Sequence, residues 1–245
     1  MCSTDTIYQG SEGDPAPFEF NDRVAEVFPD MIARSVPGYA ATLRLIGSIA
    51  DRHVPEDGKV YDLGCSLGAG STSIVKQIGE RAEITAVDTS EAMVERLRGD
   101  LKKQNISCVH PVVQDIRETE IENADLTLLN FTLQFIPIED RLPLLKKIAT
   151  GTRPGGVLVL SEKITFEDPA VEVEMIALHE AFKRENGYDE LEIAGKRKAL
   201  ENVLIPETVS VHQRRLQEAG FEASAVWLQC FNFVSLIGVV RRSPP

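Results

Sequence analysis

Lys59-Val60-Tyr61-Asp62-Leu63-Gly64-Cys65-Ser66-Leu67-Gly68-Ala69 decides the fold of this 245-residue chain. Val60, Tyr61 and Leu63 supply the β-branched, aromatic and aliphatic surface of a buried strand, and the residues after them read as a glycine turn into a helix. Gly64 and Gly68 can take backbone angles, or permit a close approach, that a Cβ forbids. The next strand, Glu83-Ile84-Thr85-Ala86-Val87-Asp88, ends in a carboxylate about 20 residues after the first glycine, where an acid can accept hydrogen bonds from a ribose. The two strands and their turn form a candidate nucleoside-binding unit.

The turn does not suit a dinucleotide. That fingerprint is G-x-G-x-x-G, whereas Gly64-Cys65-Ser66-Leu67-Gly68 has serine where the second glycine brings the backbone to a pyrophosphate. Asp62 would also repel a phosphate. A carboxylate there suits a cationic or amine-bearing ligand, and S-adenosylmethionine has both a sulfonium and an amino group. The stretch resembles the first motif of class I S-adenosylmethionine-dependent methyltransferases, with Asp88 matching their ribose-binding acid. Glycines after a strand can also merely turn the chain; the acid at the second strand end adds the functional content.

Composition narrows the function classes. With 43% hydrophobic residues the chain can bury a sizeable core as one elaborated domain. No apolar run approaches ~20 residues, and Asp5, Glu12 and Asp14 stand where a basic targeting segment would, so a soluble, cytoplasmic protein is expected without membrane contact. Cys2, Cys65, Cys108 and Cys230 are scattered, and His53, His110, His179 and His212 show no metal spacing, so free thiols and no metal are expected. A net charge of -12 disfavours direct tRNA binding, although Lys146-Lys147, Arg214-Arg215 and Arg241-Arg242 leave room for a weak docking patch.

Residues 1–20 are polar, with Gly10, Gly13, Pro15 and Pro17, and read as a flexible arm or one ordered on docking. The remainder, 21–245, reads as one nucleoside-binding domain with an N-terminal helical lid over 21–55. In that lid Val24, Val27 and Phe28 form a short helical face broken by Pro29, Arg34 to Tyr39 is a turn, and Leu43, Ile46, Ile49 and Ala50 form a second stripe. Strands are expected near 59–63, 83–88, 108–114, 125–131 and 156–162, alternating with helices near 69–79, 91–104 and 139–150. This is the pattern of an α/β, Rossmann-like, mostly parallel sheet. Gly64, Asp88, Asp115 and Asn130 fall at four strand ends and would meet in one crevice. For Asp115 and Asn130 alone, capping a loop explains the residue equally well.

Arg153-Pro154-Gly155-Gly156 reads as a tight structural turn. A helical insertion follows over 169–204, with Val171, Met175, Leu178 and Phe182 on one face and Leu191, Ala194 and Leu200 on a second segment. A helix over 209–219 ends at Gly220, and strands at 222–229 and 232–240 close a seven-stranded sheet whose last strand is antiparallel. By charge alone, Lys196-Arg197-Lys198 is a solvated helix face. Trp227 is a core candidate. Tyr188 borders the pocket or closes a helix.

Arg23 to Ile32, Arg34-Ser35-Val36-Pro37-Gly38-Tyr39, Tyr61 to Gly68, Asn130-Phe131-Thr132-Leu133-Gln134-Phe135, Leu160-Ser161-Glu162-Lys163, Phe182 to Tyr188 and Gln229-Cys230-Phe231-Asn232-Phe233 together resemble the carboxy-S-adenosyl-L-methionine synthase family. The resemblance runs from about Phe20 to Val239. It implies a transferase that takes S-adenosylmethionine as substrate, with prephenate, and makes carboxy-S-adenosylmethionine and phenylpyruvate. A separate tRNA carboxymethyltransferase then uses the product for 5-oxyacetyl uridine at the wobble position. In the implied chemistry, hydroxide leaving prephenate removes a sulfonium methyl proton, and the ylide captures the released CO2. The resemblance also implies that Tyr39, Gly64, Cys65, Ser66, Asp88, Thr89, Asp115, Ile116 and Asn130 bind the nucleoside and methionyl parts, Cys65 through its backbone. Position 89 is often asparagine in relatives. Arg197 matches an arginine that reaches across a homodimer to the added carboxylate, a task for a planar guanidinium that a lysine cannot reproduce. An ordinary methyltransferase and a non-catalytic nucleoside-binding module are the alternatives. A requirement for Arg197 counts against the first, and turnover of prephenate against the second.

Overall fold

The computed structural model describes residues 3–9 and 15–241. Cys2, Gly10, Glu12, Gly13, Asp14 and Arg242 lie outside them. Helices α1 (Asp22–Ser35) and α2 (Tyr39–His53) come first, followed by β1 (Gly58–Leu63), α3 (Ala69–Ile78), β2 (Ala82–Asp88), α4 (Glu91–Gln104), β3 (Val109–Val113), β4 (Ala124–Asn130), α5 (Ile138–Gly151) and β5 (Thr152–Lys163). An insertion, α6 (Pro169–Glu185) and α7 (Glu190–Leu200), precedes α8 (Val209–Ala219), β6 (Ala223–Cys230) and β7 (Phe233–Val239). Local chemistry sets several of these boundaries. Asn21 and Ser90 cap α1 and α4 through their side chains, Asp189 and Glu192 form a reciprocal capping box on α7, and left-handed Gly220 ends α8.

The seven strands lie in the order β3-β2-β1-β4-β5-β7-β6. β1 to β5 pair in parallel, and β7 is antiparallel to both neighbours, as expected of the last strand. Alternate residues feed opposite layers. Tyr61, Leu63, Leu158 and Leu160 pack with α5 and α8, while Val60, Val157 and Val159 pack with α2, α3 and α4. The parallel core directs the ends of β1, β2, β3 and β4 to one side.

Several local expectations need correction. Pro29 does not break the first helix: α1 continues to Ser35, forgoing one backbone bond while Val24, Ala25, Val27 and Met31 are buried. Arg153 to Gly156 turns inside β5 rather than ahead of it: Thr152 pairs with Ala124 and Val157 with Leu126, so four residues stand opposite Asp125 alone, with Gly155 at φ +90°. On α6 the buried residues are His179 and Lys183, and the stripe from Val171 to Phe182 is half-buried or exposed. Lys196 is buried, not solvated, because it donates to the Ser35 hydroxyl at 2.8 Å and approaches the Asp5 carboxylate at 3.8 Å. The described part of 1–20 is packed: Tyr8 and Phe18 join Val24, Met31 and Ala199 in a third apolar cluster. Trp227 is half-buried against the β1–α3 side of the sheet.

Candidate active site

The site begins with Gly64. Its φ is +79°, and a Cβ there would lie 2.3 Å from the Thr132 side chain, so only glycine turns the chain at this point. Two residues on, Ser66 holds φ +50°, an uncommon conformation for serine. That geometry brings the Ser66 amide to the Asp88 carboxylate at 2.8 Å, and the Ser90 amide donates to its other oxygen at 2.9 Å. Each oxygen keeps a lone pair for another donor, such as a ribose hydroxyl. Burial raises the Asp88 carboxyl above the usual range, against the pull of these amides.

Asp62 is 2% exposed and receives both the Ser71 amide (3.0 Å) and the Ser71 hydroxyl (2.6 Å) on one oxygen. Burial lifts it to about 6, which leaves it largely ionised at neutral pH. A buried carboxylate with one oxygen outside these hydrogen bonds is suited to an ammonium or sulfonium. Burial, and then Asp62, push the Tyr39 hydroxyl up, so Tyr39 stays a donor. The Cys65 thiol is pushed up by burial and by Asp62 and Asp88; it stays protonated and is no nucleophile. The Asp115 carboxylate is grasped by Arg117, which holds it below its ordinary value, and Arg117 also reaches Asp140 at 2.6 Å. Asn130 ends β4 with a buried side-chain oxygen that has no hydrogen-bond partner among the described residues. That orphan acceptor, the buried acids and the uncommitted lone pairs fit an S-adenosyl group.

All ten residues expected at the site, Arg197 and Thr89 among them, line one cavity of about 1260 Å³. Its floor is the β1–α3 turn with Asp88, Ile116 and Asn130, and its lid is aromatic. Phe20 makes edge contacts with Phe28 (6.1 Å) and Phe135 (5.3 Å). Tyr39 lies 6.3 Å from Phe131, whose φ is +63°. Arg197 donates to Glu180 at 2.8 Å and is 65% exposed in the single chain.

The same cavity is lined by Lys163, His179, Glu180, Lys183 and Lys196, none of which was expected at the site. One feature points to them. His179 and Lys183 are four residues apart beside the apolar stripe of α6, where a solvated helix would place neither on a buried face. His179 Nε2 meets the Ser35 carbonyl at 2.8 Å, and burial lowers the ring to about 3, so it is neutral. Tyr188 lies outside the lining; its hydroxyl donates to buried Asp5, and the Arg34 guanidinium stacks 3.9 Å from its ring. Among the described residues no three His, Cys, Asp or Glu side chains group as metal ligands; His53, exposed His110 and buried His212, which lies on α8, are outside the cavity lining.

A methyltransferase-domain family matches residues 60–156. Among solved structures, human N-acetylserotonin methyltransferase in complex with SAM aligns at TM-score 0.60 and 15% identity over 91% of this chain and 56% of that one. Magnesium protoporphyrin IX methyltransferase from Synechocystis, with bound SAM, aligns at 0.56 and 16% over 83% and 80%. These show a shared fold. Closer relatives are curated sequences, each called carboxy-S-adenosyl-L-methionine synthase. The protein of Shewanella sp. (strain MR-7) is 52% identical over 97% of this chain and 99% of its own. That of Geobacter sp. (strain M21) is 51% identical over 96% and 97%, and that of Aliivibrio salmonicida 48% over 98% and 100%. With half of its residues shared along nearly its full length, the chain belongs to the carboxy-S-adenosyl-L-methionine synthase family of transferases, built on the class I methyltransferase fold.

Proposed function

We propose that the protein converts S-adenosylmethionine and prephenate into carboxy-S-adenosylmethionine and phenylpyruvate, supplying the carboxymethyl donor for 5-oxyacetyl uridine at the tRNA wobble position. The observation that carries this reading is that Arg197, on the insertion, lines the same cavity as Asp62 and Asp88 and is 65% exposed, so that it can exchange Glu180 for the added carboxylate in its own chain or, across a homodimer, in a second copy. Methyl transfer creates no carboxylate for a guanidinium to hold, whereas carboxylation does.

The reaction balances without an external oxidant. Prephenate aromatises by losing its ring carboxyl group as CO2 and its ring hydroxyl as hydroxide. Hydroxide takes one sulfonium methyl proton and becomes water, and CO2 replaces that proton on carbon. Asp62 and Tyr39 would orient the methionyl end and Asp88 the ribose, so that the methyl group faces the second substrate. The Phe20, Phe28 and Phe135 wall would exclude bulk water, keeping hydroxide and CO2 beside the carbon they must reach.

A homodimer is part of the proposal. Val173 (68% exposed), Leu191 (62%), Val171 and Ile176 leave apolar surface on the insertion that a second copy would cover. The acidic chain is taken to hand its product to a tRNA carboxymethyltransferase without holding tRNA itself, in the cytoplasm. No helix among the described residues is long and apolar enough to cross a membrane.

Mass spectrometry of the small molecules after incubation with S-adenosylmethionine and carboxyl-labelled prephenate tests the reading. A labelled species one CO2 heavier than S-adenosylmethionine is the expected product, and Arg197→Ala should retain less of it. Recovery of S-adenosylhomocysteine, or of unchanged prephenate, would overturn it in favour of methyl transfer or plain nucleoside binding.

A further inference from the structure

We propose that Lys163 and Lys183 form the subsite for a doubly negative co-substrate, a dicarboxylate, in the cavity that Asp62 and Asp88 also line. The inference rests on the two-substrate reading above and adds the residues that select the second substrate.

The two lysines come from different elements. Lys163 is the last residue of β5, its backbone amide fixed by the Gln134 side-chain oxygen at 2.8 Å. Lys183 lies on α6 one turn after His179, and both lysines line the cavity. Neither ammonium makes a hydrogen bond or ion pair among the described residues, although Lys183 is buried.

The charged groups around them are committed elsewhere. Lys196 has Ser35 and Asp5, and Arg197 has Glu180, which also takes Arg184 at 3.5 Å. Glu172, the other acid near Lys163, accepts the Phe166 amide at 2.7 Å. His179 is neutral and held by the Ser35 carbonyl. Glu180 and Glu172 lie near the two lysines but are bonded to other donors, so neither ammonium has an anion of its own. Burial, and then the charge of Lys163, lower Lys183 to about 8, which still leaves it cationic at neutral pH.

Such groups are costly in a folded chain. An ammonium taken out of water without a partner loses hydration that nothing in the protein returns, and an apolar side chain of equal length would pack there at no such cost. Two of them facing one cavity complement a ligand with two negative charges. Their charge repels the cationic nucleoside, so the two ligands do not compete for the same groups. A neutral or singly charged acceptor would leave one ammonium unmatched, so the pair also selects against ordinary methyl acceptors.

The test uses the full-length protein with Lys163→Met and Lys183→Met, prephenate as probe, steady-state kinetics and calorimetry. Each variant should raise the prephenate KM about tenfold or more while the S-adenosylmethionine dissociation constant stays within about twofold. Lys183→Met should melt no lower than wild type, since it removes a buried charge; a merely structural lysine would lower the melting point instead. A prephenate KM unchanged in both variants, or S-adenosylmethionine affinity falling in step with it, overturns the subsite. Wild-type protein that binds prephenate and leaves it unconverted overturns the proposed reaction while the subsite stands. Wild type that binds neither prephenate nor phenylpyruvate overturns both.

Discussion

The Tyr188 hydroxyl donates to the Asp5 carboxylate at 2.5 Å, joining residues 183 positions apart in the chain. Asp5 is 1% exposed, and its backbone carbonyl also accepts from Arg34 at 3.1 Å. The contact ties the N-terminal segment to the start of α7, the helix that carries Lys196 and Arg197. Tyr188→Phe removes the donor and leaves a buried carboxylate short of a partner, which costs about 1–3 kcal/mol. For a chain of this size the melting temperature should fall by roughly 2–4 °C per kcal/mol. An unchanged melting curve would show that the segment does not brace the insertion.

Asp88 should be the largest single contributor to nucleoside affinity. Hydrogen bonds to a charged group contribute about 1.5–3 kcal/mol, so Asp88→Ala is expected to weaken S-adenosylmethionine binding by roughly 10- to 150-fold. Calorimetry measures this directly. Since Asp88 also holds the Ser66 and Ser90 amides, Asp88→Asn should recover part of the fold stability but little of the affinity.

Gly64→Ala fails for two reasons at once. The left-handed backbone costs roughly 1–2 kcal/mol for any residue with a Cβ, and the new methyl group would meet Thr132. Adding Thr132→Ala relieves the clash but not the backbone, so the double variant should recover only part of the lost stability. Full recovery in chemical denaturation would place the whole penalty in the clash.

The pH response of binding and of stability should run in opposite directions. Asp62 is raised from 3.8 to about 6 by burial. A carboxyl whose folded value lies above its unfolded one contributes stability fully present below about pH 4 and lost as pH rises through 6, a difference of about 3 kcal/mol. Asp88, also raised, acts in the same direction. A cationic ligand needs the ionised form, so S-adenosylmethionine affinity should fall about tenfold per pH unit below about 6. Asp62→Asn should flatten both profiles. Wild-type affinity that stays level between about pH 5 and about pH 8 would remove Asp62 from the site.

Much of the sheet was legible because its signals are local. β1 and β2 are short apolar runs ended by glycine or aspartate, and such punctuation survives any tertiary context. The same strand-end logic found Asp88 and Asn130. What escaped depends on distant partners. Pro29 looks like a breaker until α1 is seen packed on both sides of it, and Arg153 to Gly156 looks like a turn ahead of a strand until Thr152, before it, pairs with Ala124. Lys196 reads as solvated because Asp5, its counter-charge, is nearly two hundred residues away in sequence. Lys163 and Lys183 were hidden for the opposite reason: their environment is a cavity, and empty space has no sequence pattern. Arg197 was legible only through family resemblance, since its local run is ordinary for an exposed helix.

The position of β7 has a consequence for synthesis. It follows β6 in sequence, yet it lies between β5 and β6, with Val157 to Lys163 pairing along Phe233 to Val239. Until Phe233 to Val239 leave the ribosome, β5 presents an open edge of apolar backbone, the kind that recruits strands from other molecules. A chain cut short before Phe233 would keep β1 to β5 and the nucleoside turn intact and would still aggregate, so solubility hinges on the synthesis of β7.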